Sequence, residues 1–452
     1  MFELKELQTM VNGAYRKLKS YYYYDKTLLY IKKSLAQFEA GKGFQECLQE
    51  IGLNLYLENQ AYFDALVERI DFRVMSKKLK VNKPEDITQK DIDHAKSIYT
   101  LNFYIDAPVE LLIVDCLFML FVGKVKCDLY GESECSYAGR FVRDVFRKKE
   151  QSLERGIDYA SNRCFEPYYV SYEAWKNKAV DAVGEYKDKT DIVLMSLDFK
   201  SFYYSVNFDF SKLERMLKGD KRLQQIRFLT GIIEKVYQKY TGIVGKYRDC
   251  KQESENTCML PIGLLSPLVL RNLYMMRFDS NIQEGLKPIY YGRYVDDLLL
   301  VLDSKGIANR TVDACIRNYL ICSKLFRKSM RNRITYAKDA SLSIQIDKVR
   351  CYYFKMGSKD RLLKGFYDHI GSTVSEANLV PDIDMFGHAL VKEAYSVGGA
   401  GVEEMMEDPK LSKSSYYNVV RYINGLKFTL KNVYSGQEEV LKCLDEIMDL
   451  YR

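Results

Sequence analysis

The chain has 452 residues, 47% of them hydrophobic and 29% charged, a balance that excludes a disordered or low-complexity chain and leaves enough apolar surface for a sizeable core. The formal net charge is +7, compatible with a polyanionic partner without demanding one. Eleven cysteines occur without a CxxC pair, and there are only 3 histidines; this argues against a zinc ribbon, a histidine-rich metal centre and a disulfide-stapled secreted scaffold. Buried reduced thiols in a cytoplasmic protein are the expectation.

Residues 1–130 read mostly as helices, with apolar side chains at three- and four-residue spacing and Gly41 and Gly43 as punctuation. The opening residues Met1-Phe2-Glu3-Leu4-Lys5-Glu6 lack the apolar stretch of a signal peptide. The run of tyrosines at 21–24 reads as an aromatic cluster in a helix interface. Residues 108–123 are the most apolar segment, but they carry Glu110 and Asp115 and are too short to span a bilayer. A buried helix is expected there, and no membrane partner.

Residues 131–190 turn polar and basic, with Arg140, Arg143, Arg147, Lys148 and Lys149 close together, followed by Phe165 and the one tryptophan, Trp175. Residues 191–198 form a short apolar run ending in Asp198, the pattern of a buried strand, and residues 199–206 lead into a helical pattern. Residues 260–267 precede a helical stretch over 268–278, with Pro267 suited to a first helical turn. Residues 289–302 are two apolar runs around a polar tip, which predicts a β-hairpin with Asp296 and Asp297 at the turn. The spacing then predicts a helix over 312–330 and a strand over 342–346. From about 370 helical spacing returns, and Val440, Leu444, Ile447 and Tyr451 share one face of a last amphipathic helix.

Two adjacent aspartates ending an apolar strand repel each other and are costly to bury without a counter-charge. Alone, Asp296-Asp297 fits a solvated turn as well as a metal site. A third strand-ending acid, Asp198, and a glycine-bearing loop between the two segments shift the balance. If the strands are neighbours, three carboxylates converge on a site suited to Mg²⁺, and two ions about 3.5–4 Å apart could activate a hydroxyl and stabilise a leaving pyrophosphate.

Tyr294-Val295-Asp296-Asp297 resembles the Tyr-x-Asp-Asp box (motif C) of reverse transcriptases. The segment from Leu197 through Asp198, Phe199 and Tyr203 to Val206 resembles their motif A. Leu260-Pro261-Ile262-Gly263-Leu264-Leu265-Ser266-Pro267, with Asn272-Leu273-Tyr274, resembles their motif B. The resemblance is strongest over residues 190–303. It implies an α+β fold: a right-hand polymerase palm with a small antiparallel sheet, fingers before it, and helical N- and C-terminal regions. The implied division is an N-terminal helical region over 1–130, fingers over 131–190, a palm over 191–355 and a thumb-like helical region over 356–452. It implies RNA-directed DNA synthesis from dNTPs by a two-metal mechanism with Mg²⁺ or Mn²⁺. Asp198, Asp296 and Asp297, with the carbonyl of Phe199, would hold metal, and Lys348 would be the motif D lysine that protonates pyrophosphate. Tyr203, five residues after Asp198, would be the steric gate that excludes a ribose 2′-hydroxyl. Tyr203, Gly263, Arg140 and Tyr294 would contact the nucleotide. The run Lys324, Arg327, Lys328, Arg331 has helical spacing and would track a nucleic-acid backbone; a solvated helix face is the other reading.

Departures narrow the group. Ile262 stands where retroviral enzymes carry glutamine, Ser266-Pro267 differs from the Ser-Gln of diversity-generating elements, and no retron box, RNase H-like pattern or Cys/His endonuclease tail is evident. The Pro-Ile-Gly form of motif B, residues 136–140 and residues 165–175 look most like bacterial abortive-infection and defence-associated reverse transcriptases. That resemblance implies antiphage defence, DNA made on an RNA template, on an associated non-coding RNA or without a template, and homo-oligomers. Mobile-element reverse transcription, group II intron-like or retron-like, and a catalytically silent RNA-binding palm are the alternatives.

Overall fold

The computed structural model describes residues 2–24, 28–41, 43–79, 99–148, 155–247, 256–304, 311–328 and 333–357. The chain divides into two compact units, one of residues 1–18 and 45–371 and one of residues 19–44 and 372–452. The second unit's described part is the end of helix α1 (Leu4–Tyr24) and helix α2 (Leu29–Ala40). Here Tyr30, Ile31 and Leu35 are buried, and Lys19 pairs with Glu39 at 2.6 Å. Of the tyrosine run, Tyr22 is buried and Tyr23 is exposed.

In the first unit, α3 (Phe44–Tyr56) and α4 (Gln60–Glu68) follow, the latter capped by the Asn59 side chain. The mostly helical reading through residue 130 is then interrupted by a strand pair it did not include. Strands β1 (Asp71–Leu79) and β2 (Tyr99–Asp106) pair antiparallel, Asp71 opposite Asp106. Phe72 and Phe103 meet across this pair, ring centres 5.3 Å apart and planes tilted by 59°, and such cross-strand contacts, invisible to local spacing, stabilise the strands. Helix α5 (Val109–Tyr130) meets its expectation: it is buried on nearly every side, as its unbroken apolar run requires. Among the described residues no helix is long and apolar enough to cross a membrane. The described cysteines are free thiols; Cys116, Cys135, Cys164, Cys258 and Cys315 are buried as expected, but Cys322 is exposed.

A short hairpin, β3 (Phe146–Lys148) and β4 (Arg155–Ile157), precedes helix α6 (Tyr168–Tyr186). Then come β5 (Ile192–Asp198), the one-turn helix α7 (Phe202–Ser205), α8 (Arg227–Gly245) and α9 (Ser266–Leu286). The predicted hairpin forms from β6 (Tyr290–Tyr294) and β7 (Asp297–Asp303). The helix expected over 312–330 is shorter: α10 (Val312–Cys315) runs into a π-helical turn ending at Ile321. After it come β8 (Phe326–Lys328), β9 (Ile334–Tyr336) and β10 (Asp339–Ile344), a three-stranded antiparallel sheet. Strand β11 (Arg350–Phe354) is the last described element, and the expected amphipathic helix near residue 440 lies outside the described residues.

The central sheet has the order β11-β5-β7-β6 and is antiparallel throughout. Helix α6 packs against β5, β6 and β7. From β6, Tyr291 and Arg293 bond to Asp279 of α9. Covered strands need apolar residues in succession rather than in alternation, and Ile192 to Met195 and Leu298 to Val301 are all buried. This mixture of helices and small antiparallel sheets agrees with the α+β expectation.

Candidate active site

Register brings the acids together. Asp198, the last residue of β5, pairs directly with Asp297, the first of β7, while Asp296 sits in the two-residue turn between β6 and β7. Directly opposed Cα atoms in such a ladder lie roughly 4.5–5.5 Å apart. Backbone bonds hold the strand end in place: the Phe199 N–H donates to the Asp296 carbonyl at 3.2 Å, and the Gln345 N–H donates to the Asp198 carbonyl at 2.8 Å. Phe199 itself is buried beneath the turn.

The turn is strained and braced. Val295 has φ of 58°, a left-handed conformation that costs a β-branched residue on the order of 1–3 kcal/mol. A two-residue hairpin needs positive φ at its first central position when the turn is of the II′ kind. Arg293, with no exposed surface, donates to the Val295 carbonyl at 3.1 Å. The same guanidinium grips both carboxylate oxygens of Asp279 at 2.9 Å and reaches the side-chain oxygen of Asn272 at 3.3 Å. Burial alone would pull the Arg293 pKa down, but the charge and hydrogen bonds of Asp279 raise it above its ordinary value. Asn272 also accepts from the Ser136 hydroxyl at 2.9 Å and donates to the Ala138 carbonyl at 3.0 Å. One buried polar network thus links the turn, α9 and the loop over residues 136–140.

Lys348 enters from the 3₁₀ turn Ile346–Lys348 and forms an ion pair with Asp198. Burial works to lower its pKa, but Asp198, by charge and hydrogen bond, and then Asp297 and Asp296 raise it overall. All three acids therefore act on one ammonium. The donors offered here are hard carboxylate and carbonyl oxygens, the set that suits Mg²⁺, and the lysine shows that the cluster attracts positive charge. Among the described residues no group of three or more acids, cysteines and histidines is arranged as a metal cage; with Asp198 engaged by Lys348, a cation would have to compete with the ammonium for that carboxylate.

Tyr203 lies on α7, half-exposed between buried Phe202 and Tyr204. Its carbonyl accepts from the Leu260 N–H at 2.9 Å, and its hydroxyl accepts from Arg271 of α9. Gly263 has φ of 113°, which only glycine adopts readily. The turn it makes bends the chain so that Ile262 bridges to Tyr104 of β2 while Ser266 starts α9. Sequence, strand and turn thus bring Asp198, Asp296, Asp297 and Lys348 together and set Tyr203 against the segment that carries Gly263.

Other expected site residues lie elsewhere. Arg140 closes its own loop, donating to the carbonyls of Ser136 at 2.8 Å and Ser133 at 3.0 Å and stacking over Tyr137 at 4.2 Å. Tyr294 is buried, its ring meeting Tyr172 edge-on at 5.0 Å and Trp175 at 5.8 Å; it anchors the hairpin to α6. Lys324, Arg327 and Lys328 do not share a helix face. Lys324 is in a turn and the other two are on β8, all exposed; Arg331 lies outside the described residues.

Sequence reasoning missed Arg271, Arg293 and Asp279, and it placed Asn272 in motif B without its role in this network. One signal was available: Asn272 and Asp279 are seven residues apart on one helix, hence on one face. Arg293, the one charged residue of the segment Tyr290–Tyr294, was the other.

Residues 164–352 match the family described as Reverse transcriptase (RNA-dependent DNA polymerase). That stretch is under half of the chain but contains Asp198, Tyr203, Gly263, Asp296, Asp297 and Lys348, and it supports a reverse transcriptase activity. No curated protein matches the chain.

Proposed function

We propose that the chain is an RNA-directed DNA polymerase that joins dNTPs and serves in bacterial antiphage defence, acting in the cytoplasm on an RNA template or an associated non-coding RNA. The observation that carries the polymerase reading is the β5–β7 register, which sets Asp198 opposite Asp297 with Asp296 at the adjoining turn. A family match over the same residues supports it. The defence role rests on the likeness of motif B and of residues 136–140 and 165–175 to defence-associated enzymes. The expected partition into fingers over 131–190, palm over 191–355 and thumb over 356–452, and assembly into a homo-oligomer, belong to the same proposal.

In this reading Asp198, Asp296 and Asp297 with the Phe199 carbonyl would hold divalent cations, which when bound would supply positive charge for activating a primer 3′-hydroxyl and stabilising pyrophosphate. Lys348, already protonated and drawn to Asp198, holds a proton at Nζ where a leaving pyrophosphate would need one. Tyr203 presents its ring to the sugar, and Arg293 keeps the turn from relaxing. The purified full chain, given RNA, a primer, dNTPs and Mg²⁺, should synthesise DNA. Asp296→Ala should reduce incorporation by more than about 10³-fold, the scale expected when charge stabilisation of a transition state is lost. Synthesis that persists in Asp296→Ala sinks the polymerase assignment. Loss of phage resistance in cells carrying the same variant tests the defence role.

A further inference from the structure

Arg271 has no place in the chemistry above, yet it is an expensive residue where it sits. It is 2% exposed, on α9 between buried Leu270 and Leu273. Its Nε has no hydrogen-bond partner among the described residues. A guanidinium carries five donors, and burying one incompletely satisfied is costly. An apolar side chain of similar length would fill the same space without that cost. What the arginine does make is a hydrogen bond from Nη1 to the hydroxyl of Tyr203. The neighbouring loop makes room for it: a Cβ on Gly139, which has φ of 72°, would lie 3.4 Å from Arg271 Nη2 and 3.0 Å from the Leu268 carbonyl oxygen.

Tyr203 is less enclosed than its neighbours, its ring meeting Phe202 edge-on at 5.8 Å. Its neighbours Phe202 and Tyr204 are buried, while Tyr203 stays half-exposed on a helix of a single turn. An aromatic ring has two torsions to be set, and each staggered position aims its tip differently. A planar donor held rigidly by a long helix selects one of them at the ring's tip. We propose that Arg271 is a positioning residue that pins the Tyr203 ring across the path of a ribose 2′-hydroxyl and so sets the preference for deoxynucleotides. The inference rests on reading Tyr203 as the sugar gate. A ring aimed elsewhere would admit ribonucleotides while the deoxyribose, which has no 2′-hydroxyl to be obstructed, gains nothing from the change. The arginine should therefore act on discrimination and not on turnover.

The test measures kcat/KM for dNTPs and rNTPs with the full chain and its Tyr203→Ala, Tyr203→Phe, Arg271→Met and Arg271→Lys variants. Arg271→Met and Tyr203→Phe should each lower the deoxy preference by roughly 10-fold, in Arg271→Met through a rise in the rNTP value. The double variant should lose no more than either alone, because both changes delete one interaction. Arg271→Lys should restore part of the preference. An equal fall for both nucleotides in Arg271→Met makes the arginine merely structural and overturns the inference. A wild-type preference that survives Tyr203→Ala overturns the gate reading instead, and the inference with it. If Arg271→Met does not fold, Tyr203→Phe decides: an unchanged preference there refutes pinning.

Discussion

Asp115 caps a helix that is not its own. It lies 1% exposed within α5 and accepts the N–H groups of Leu265 at 2.7 Å and Ser266 at 3.1 Å, together with the Ser266 hydroxyl. These are donors at the start of α9 that no intrahelical carbonyl can satisfy. Burial raises its pKa to about 6, against the pull of those hydrogen bonds. An unfolded aspartate titrates near 3.9, so roughly 4, and the native state therefore takes up the proton first. Its contribution to stability is fully present below about pH 4 and is lost as pH rises through about 6. Chemical denaturation of wild type and Asp115→Asn at pH 4, 5, 6 and 7 should show the wild-type advantage shrinking across that window; a difference that stays flat contradicts the assignment. Gly263→Ala, by contrast, forces a side chain into φ of 113° and should cost about 1–3 kcal/mol in stability, read from the same melts. At this scale Asp198, Asp296 and Asp297 were legible because each ends an apolar run. Asp115, Arg271 and Arg293 were not, because their partners come from elements distant in sequence.

The β6–β7 hairpin depends on one arginine more than on its own turn sequence. Val295 carries none of the glycine or asparagine that favours positive φ, so the conformation is imposed from beneath by Arg293, Asp279 and Asn272. Arg293→Met would leave Asp279 buried without its partner, a loss of about 3–5 kcal/mol. Adding Asp279→Asn should recover part of it, and urea midpoints of the wild type and the two variants measure this. No recovery would mean that shape rather than charge holds the turn. The hairpin and β5 were readable because long apolar runs bounded by acids have few alternatives. The end of the helix expected over 312–330, at Phe326–Lys328, was misread for the converse reason. A short apolar stretch suits helix and strand alike, and the pairing of Phe326 with Tyr336 and its ring contacts with Phe278 decided for strand. The β1–β2 pair was hidden in the same way, its strands fixed by each other and by the bond from the Phe103 N–H to the Tyr204 hydroxyl at 2.7 Å.

Over the whole molecule, the net charge of +7 suits a nucleic-acid partner, but where the charge acts depends on the strands just described. Read as a helix, Lys324, Arg327, Lys328 and Arg331 formed one stripe along which a phosphate backbone could run. On β8, Arg327 and Lys328 are adjacent strand residues and point to opposite faces. Lys328 shares a face with Phe326, whose ring is turned inward against Phe278 and Tyr336. Arg327 is on the other face, so a single strand of RNA can follow Arg327 or Lys328 but not both. Each phosphate neutralised contributes about 0.7 to the slope of log K against log salt for single strands. RNA binding by the Asp296→Ala protein, titrated between low and high salt, should therefore lose about 0.7 of slope in Arg327→Gln and almost nothing in Lys328→Gln. Equal losses would restore the continuous stripe, and no loss in either would put the nucleic acid on another face of the protein.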